Sequence, residues 1–290
     1  MLKIVALTTV AMLAFGANSV LARLALEAGD IDALGYTGVR LLSGAIVLAA
    51  LLVGRNLGKG AGFALGGSWL GAASLLGYGL MFSLAYLLLG AGTGALILFA
   101  CVQIGMLAWA VFRGDRPGLV EWVGLFIAFA ALVYLVAPGL VAPNPVGAAL
   151  MAGAGLCWAA YSLIGRGSRS PLTDTAGNFI RCLPVAVVLI LAGGFSHVPS
   201  SRGLLYAVAS GALASGLGYA IWYAVLPDLS RVRAALVQLT VPAIAALGGV
   251  LFIGEPLTGR LLLASAGIIG GVALAVLAAE RRRSAARRAI

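Results

Sequence analysis

Hydrophobic positions in this chain come in long unbroken runs, with the polar residues gathered between them. Ten such runs can be drawn, at 4–22, 34–53, 69–89, 93–112, 119–137, 146–164, 175–195, 204–226, 234–253 and 261–279. Each approaches the 20 or so residues that an α-helix needs to cross about 30 Å of hydrocarbon. Backbone in lipid has no water to bond to, so runs of this kind satisfy their own N–H and C=O groups as helices. The pattern predicts an all-α polytopic membrane protein with ten transmembrane helices.

The runs also repeat. Phe15-Gly-Ala-Asn-Ser-Val-Leu-Ala-Arg23 in the first helix matches Trp158-Ala-Ala-Tyr-Ser-Leu-Ile-Gly-Arg166 in the sixth, at a shift of 143 residues. Val39-Arg40 matches Ile180-Arg181 at a shift of 141, and Gly114-Asp115 matches Gly254-Glu255 at 140. Three matches in one order at nearly one spacing predict two five-helix repeats. An odd number of spans turns the second copy over, and inverted repeats can expose a site between them to either face by rocking. The expected units are 1–137, a Pro-rich linker at 138–145, a second repeat at 146–280 and a basic tail at 281–290. The Gly90-Ala91-Gly92 connection is short enough to predict adjacent, antiparallel third and fourth helices.

Composition agrees. The chain is 62% hydrophobic and 10% charged, where soluble domains run near 45–50% and about 25%. Its formal charge of +10 invites a nucleic-acid reading, which the distribution of the charge rejects. With the N-terminus inside, Lys3, Arg55, Lys59, Arg113, Arg116, Arg166, Arg169, Arg231, Arg233 and the five tail arginines face the cytoplasm. Only Arg23, Arg202 and Arg260 fall outside, and this bias predicts that both termini lie in the cytoplasm. The tail then lies against anionic lipid. Residues 1–22 share the features of a secretory signal, but the first repeat needs them as its first helix. Cys101, Cys157 and Cys182 have no metal or redox spacing and are expected to pack as small apolar groups.

Glycines in small-xxx-small patterns allow close helix packing in lipid. Gly267, Gly270 and Gly271 serve either this purpose or a dimer face, so the chain is expected to be a monomer or a weak homodimer. Pro242 should kink the ninth helix and free the carbonyl of Gln238, and Pro184 should do the same to Ile180 in the seventh. Such kinks suit a gate or a static bend.

The acidic residues and His197 all lie in loops or at helix ends, so no span carries the usual proton relay. Catalytic pairs, a metal cluster and a phosphate loop are absent, and neither enzyme chemistry nor a cofactor is expected. At mid-depth the spans carry aromatic and neutral polar groups instead. Tyr78, Phe82 and Tyr86 recur every four residues on one face of the third helix. Phe99 and Gln103 pair on the fourth, while Trp158, Tyr161 and Ser162 cluster on the sixth. Tyr219, Trp222 and Tyr223 cluster on the eighth, with Asn18 and Ser19 on the first and Gln238 and Thr240 on the ninth. An amide facing lipid is costly, so Asn18, Gln103 and Gln238 bond either to another helix or to a substrate. Arg40 and Arg181 either snorkel to the interface or attract an anionic group at the entrance of each half-channel.

These residues resemble a known family. Phe15-Gly16-Ala17-Asn18, Trp158-Ala159-Ala160-Tyr161, Arg40, Arg181, Pro242 and Gly254-Glu255-Pro256-Leu257 are similar to the ten-helix, EamA-type members of the drug/metabolite transporter superfamily. Within it the chain looks most like bacterial YddG-type exporters of aromatic and other neutral amino acids, a resemblance that implies a bacterial inner-membrane location. Val102 and Asp115-Arg116 depart from the pattern in the first repeat. The resemblance implies a central cavity framed by the first, third, fourth, sixth, eighth and ninth helices.

The resulting expectation is a carrier that exports small neutral metabolites, aromatic and other neutral amino acids first, by alternating access without proton coupling. A zwitterion suits a cavity with aromatic and amide walls and no fixed charge. The rivals are a proton-coupled multidrug exporter and, from another class, an intramembrane enzyme or lipid-handling protein.

Overall fold

The computed structural model describes residues 2–56, 65–114, 117–136, 142–165, 168, 170–196, 198–225, 228–229 and 237–288. Lys59, Asp115, Arg116, Arg166, Arg169, His197, Arg231, Arg233 and linker residues 138–141 lie outside these. All regular structure among the described residues is helical. In chain order it comprises α1 (Leu2–Glu27), α2 (Ala33–Asn56), α3 (Trp69–Tyr86), α4 (Ala91–Phe112), α5 (Leu119–Val136), α6 (Pro145–Gly165) and α7 (Pro171–Ser196). The eighth rod, α8, runs as α-helix over Ser201–Ala209, π-helix over Ser210–Leu217 and α-helix again over Gly218–Val225. It is followed by α9 (Val241–Ile253) and α10 (Gly259–Arg288). Seven rods are long and apolar enough to cross a membrane, and the apolar stretches 91–106, 119–135 and 241–253 are shorter.

Local chemistry sets the boundaries. The Asp32 carboxylate accepts from the Leu34 and Gly35 N–H groups at 2.9 Å and starts α2. Ser68, Asn144 and Ser200 do the same for α3, α6 and α8, each accepting at 3.0 Å from an N–H three residues on. These caps satisfy donors that a helix leaves orphaned at its first turn. Gly254 ends α9 in the left-handed conformation (φ 78°), which costs glycine no side-chain clash.

Each main packing pair crosses between the first five helices and the last five. α2 lies on α7 and α5 on α10, α6 packs against α3 and α4, and α1 packs against α8 and α9. The first helix is thus integral to the bundle, with Ala11, Phe15 and Ala22 buried. The close α5–α10 crossing depends on glycine. A Cβ on Gly271 would stand 2.5 Å from the Gly124 carbonyl oxygen, and one on Gly124 would stand 2.5 Å from that of Gly271.

Two expectations change, and the packing adds detail to two others. The third and fourth helices make little contact with each other, because α6 packs on both. Gly267 and Gly271 are used within the chain, against Ala131 and against Gly124 and Ala128, whereas Gly270 faces open space. Pro242 does not kink the middle of a helix. The helix is interrupted at Leu239–Thr240 and restarts at Val241, so Pro242 occupies the first turn, where its missing N–H is not needed. Residues 281–288 continue α10 without a break. Pro184 does lie inside α7, as expected.

Candidate functional site

A cleft at the centre of the bundle is enclosed by five helices. Phe15, Asn18 and Ser19 come from α1, Tyr78 and Phe82 from α3, Ala95, Leu98 and Phe99 from α4, Trp158 from α6 and Tyr219 from α8. In this conformation its volume is about 20 Å³, room for about one water. The space is therefore closed around any ligand larger than water.

Its walls are a continuous set of ring contacts. Trp158 lies 4.8 Å from Tyr78 and 5.0 Å from Tyr219 between centroids. Phe15 meets Tyr219 edge-on at 5.7 Å and Trp222 at 6.0 Å. Tyr78 continues to Phe82 at 5.3 Å, and Phe82 to Tyr86 at 4.6 Å. The four-residue spacing on α3 aligns three of these rings along one helix face. Tyr161 stacks beside Trp158 at 5.5 Å, one layer from the cleft.

Of the sequence candidates, Asn18, Tyr78, Phe82, Phe99, Trp158 and Tyr219 come together in the cleft wall. Tyr161 and Trp222 sit behind it. Ser162 donates to the carbonyl of its own helix at Trp158, 2.8 Å away. Gln103 is buried one turn beyond Phe99, and Gln238 is half-buried; neither lines the cleft.

The arginines depart furthest from expectation. Arg40 is 3% exposed and stands inside the bundle, so it neither snorkels nor guards an entrance. Its Nε donates to Ser215 Oγ at 3.2 Å and its Nη2 to Tyr78 Oη at 3.0 Å. Its guanidinium carbon lies 4.7 Å from the Phe82 ring centroid and 5.1 Å from that of Tyr78. Behind it, Asn18 Oδ1 accepts from Ser210 Oγ at 2.7 Å and from Ser215 Oγ at 3.5 Å. A fixed positive charge therefore stands directly behind two cleft-lining rings, contrary to the expectation of an uncharged site. The physical reason is the eighth rod. Ser210 and Ser215 on its π segment supply polar partners, and Gly211 lets the rod touch the Arg40 carbonyl. π segments are recurrent at functional sites, but only the small, hydroxylated Ser210-Gly-Ala-Leu-Ala-Ser215 run hints at this one. Arg181, the sequence counterpart, behaves differently. It donates to the carbonyls of Gly66 at 2.5 Å and Gly177 at 3.0 Å, pinning the chain before α3.

A wider space of about 340 Å³ opens at one end of the bundle, lined in part by Arg23, Glu27, Thr93, Glu255 and Arg260. Here Glu255, just past the Gly254 turn, caps α4. Its two oxygens accept from the Ala91 N–H at 2.8 and 2.9 Å, and Arg23 donates to it at 3.2 Å. Arg23 also bonds Glu27 at 2.6 Å and the Tyr86 carbonyl at 3.1 Å. Ala95, one turn along α4 from Ala91, lines the cleft, so this ionic cluster sits over it. No group of His, Cys, Asp and Glu among the described residues could hold a metal ion.

Comparison with known proteins follows the same lines. Residues 145–277 match the model of the EamA-like transporter family. The uncharacterised protein PA1977 of Pseudomonas aeruginosa is 47% identical over 279 residues, 96% of each chain. The threonine/homoserine exporter RhtA of Escherichia coli K12 is 33% identical over 175 residues, 57% of each chain. The uncharacterised transporter YwfM of Bacillus subtilis is 28% identical, covering 85% of this chain and 84% of its own. A crystal structure at 24% identity superposes with a TM-score of 0.66, over 95% of this chain and 99% of that one, and so shares the fold. The chain belongs to the EamA-like transporter family, and the protein is a multi-pass membrane transporter rather than an enzyme.

Proposed function

We propose that the protein exports small neutral amino acids across the bacterial cytoplasmic membrane by opening the central cleft alternately to either side. The observation that carries this reading is the cleft itself. Aromatic faces from α3, α6 and α8 offer surfaces for an apolar side chain or an ammonium group, and Asn18 adds an amide. Similarity to a threonine/homoserine exporter supports the substrate class. The packing supports two exchangeable units. Exchanging each helix with the one five places on turns α3 on α6 into α8 on α1, and α4 on α6 into α9 on α1. α2 on α7, α5 on α10 and α4 on α9 map onto themselves. Units 1–137 and 146–280, moving against each other about the linker, are the proposed rocking bodies. One chain holds a complete cleft, so a monomer suffices. The bias of basic residues supports a topology with both termini in the cytoplasm.

A multidrug exporter of cations is disfavoured by the Arg40 charge behind the cleft wall. The discriminating experiment is counterflow in proteoliposomes with labelled threonine, phenylalanine and a cationic dye. Exchange of the amino acids, lost in Trp158→Ala, is the expected result. Exchange of the dye alone would replace this reading with the multidrug one.

A further inference from the structure

Arginine does not give up its proton inside a protein, so Arg40 carries a full charge at 3% exposure. Among the described residues its side-chain hydrogen-bond and ring partners are neutral, namely the Ser215 and Tyr78 hydroxyls and the rings of Tyr78 and Phe82. No carboxylate among the described residues pairs with it. Its Nη1 is buried without a hydrogen-bond acceptor among the described residues. Buried polar groups are normally bonded, and a buried charge lacking its counter-ion is costly. An unsatisfied guanidinium nitrogen directly behind the cleft-lining rings of Tyr78 and Phe82 marks a place where the missing acceptor comes from a ligand.

We propose that Arg40 is the carboxylate-recognising group of the carrier. The proposal rests on the reading of the cleft as the transport path. A carboxylate engages Nη1 and Nη2 together, the bidentate geometry that the guanidinium fork favours. The Tyr78 hydroxyl holds the Nη2 position in the closed cleft and yields it on binding. The ligand class is a small monocarboxylate, zwitterionic or anionic. In a zwitterion, the ammonium lies against the Tyr78, Trp158 and Tyr219 faces. A charged group with no counter-ion among the described residues thus becomes the source of selectivity.

The test is the melting temperature of the purified full chain with threonine, alanine and lactate, each compared with its primary amide at equal ionic strength. The carboxylates are expected to stabilise the parent with an apparent affinity about tenfold or more tighter than their amides. Arg40→Gln should abolish that preference, while Arg40→Lys, which keeps charge but not the fork, should retain part of it. If Arg40→Gln does not fold, Arg40→Lys decides, and an undiminished preference there overturns the proposal. Amides that stabilise as well as carboxylates, a preference surviving in Arg40→Gln, or no stabilisation by any of the six compounds also overturns it. Binding and transport are read separately. A carboxylate preference without amino-acid counterflow refutes the exporter reading alone, and counterflow without the preference refutes only the role of Arg40.

Discussion

Tyr78 and Trp158 lie 4.8 Å apart between ring centroids, and this contact joins the first five helices to the last five at the centre of the protein. Phe15 and Tyr219 make the matching contact at 5.7 Å, between residues displaced from Trp158 and Tyr78 by 143 and 141 positions. Both pairs cross the cleft, so any motion that opens it separates rings contributed by different halves.

Orientation is tested by the placement of single cysteines. Asn144→Cys should react with an impermeant thiol reagent from outside intact cells, and Ser284→Cys should not. Reversed labelling would turn the protein over and remove the export direction.

The α5–α10 crossing should tolerate no added side chain on its packed face. Gly271→Leu is expected to destabilise by about 1–3 kcal/mol or more, since the Gly124 carbonyl and Ala128 leave no room. Gly270→Ala, one residue away and facing open space, should change stability by no more than about 0.5 kcal/mol. Thermal denaturation in detergent compares the two, and equal effects would contradict the packing.

Much of this was legible in sequence, and the failures are instructive. The apolar runs placed most helix ends within a few residues, because crossing lipid fixes both length and hydrogen bonding; the start of α9 and the end of α10 are the exceptions. The four-residue spacing of Tyr78, Phe82 and Tyr86 and the polar Asn18 pointed at the cleft, since helix periodicity alone puts such groups on one face. Arg40 was misplaced because a lone cation in a span is most simply accommodated by reaching for the interface. Its actual surroundings come from α3 and α8, 38 and 175 residues away. The restart of α9 was hidden because proline fits a first turn as well as it breaks a middle one. Gly254-Glu255 was visible as a repeated motif, but its task was not. Only the fold brings Glu255 to the start of α4 and to Arg23.

That task gives a third prediction. Glu255→Ala leaves the Ala91 N–H without its acceptor and Arg23 with only Glu27 and the Tyr86 carbonyl. A loss of about 1–3 kcal/mol is expected from the unsatisfied groups, with Glu255→Gln losing less because its amide oxygen can still cap α4. Thermal melts of the two variants rank them, and equal losses would assign the whole effect to the Arg23 ion pair.

Transport should not depend on a pH gradient. None of the acidic residues among the described ones lines the cleft. The Arg40 charge does not titrate in the accessible range. Counterflow of labelled threonine should therefore proceed at equal internal and external pH and survive an uncoupler. Accumulation driven only by an imposed pH difference would contradict a proton-independent carrier.

Alternating exposure of the cleft is tested most directly at Ala95, a small cleft-lining residue on α4 that is 1% exposed in the closed state. In a chain whose native cysteines are replaced by serine, Ala95→Cys is labelled with an impermeant thiol reagent in right-side-out and inside-out vesicles. The cleft should react from both sides, and saturating threonine should change both rates. Reaction from one side alone, or protection as complete as that of Leu48→Cys in the packed core, would show that this space is not a transport path.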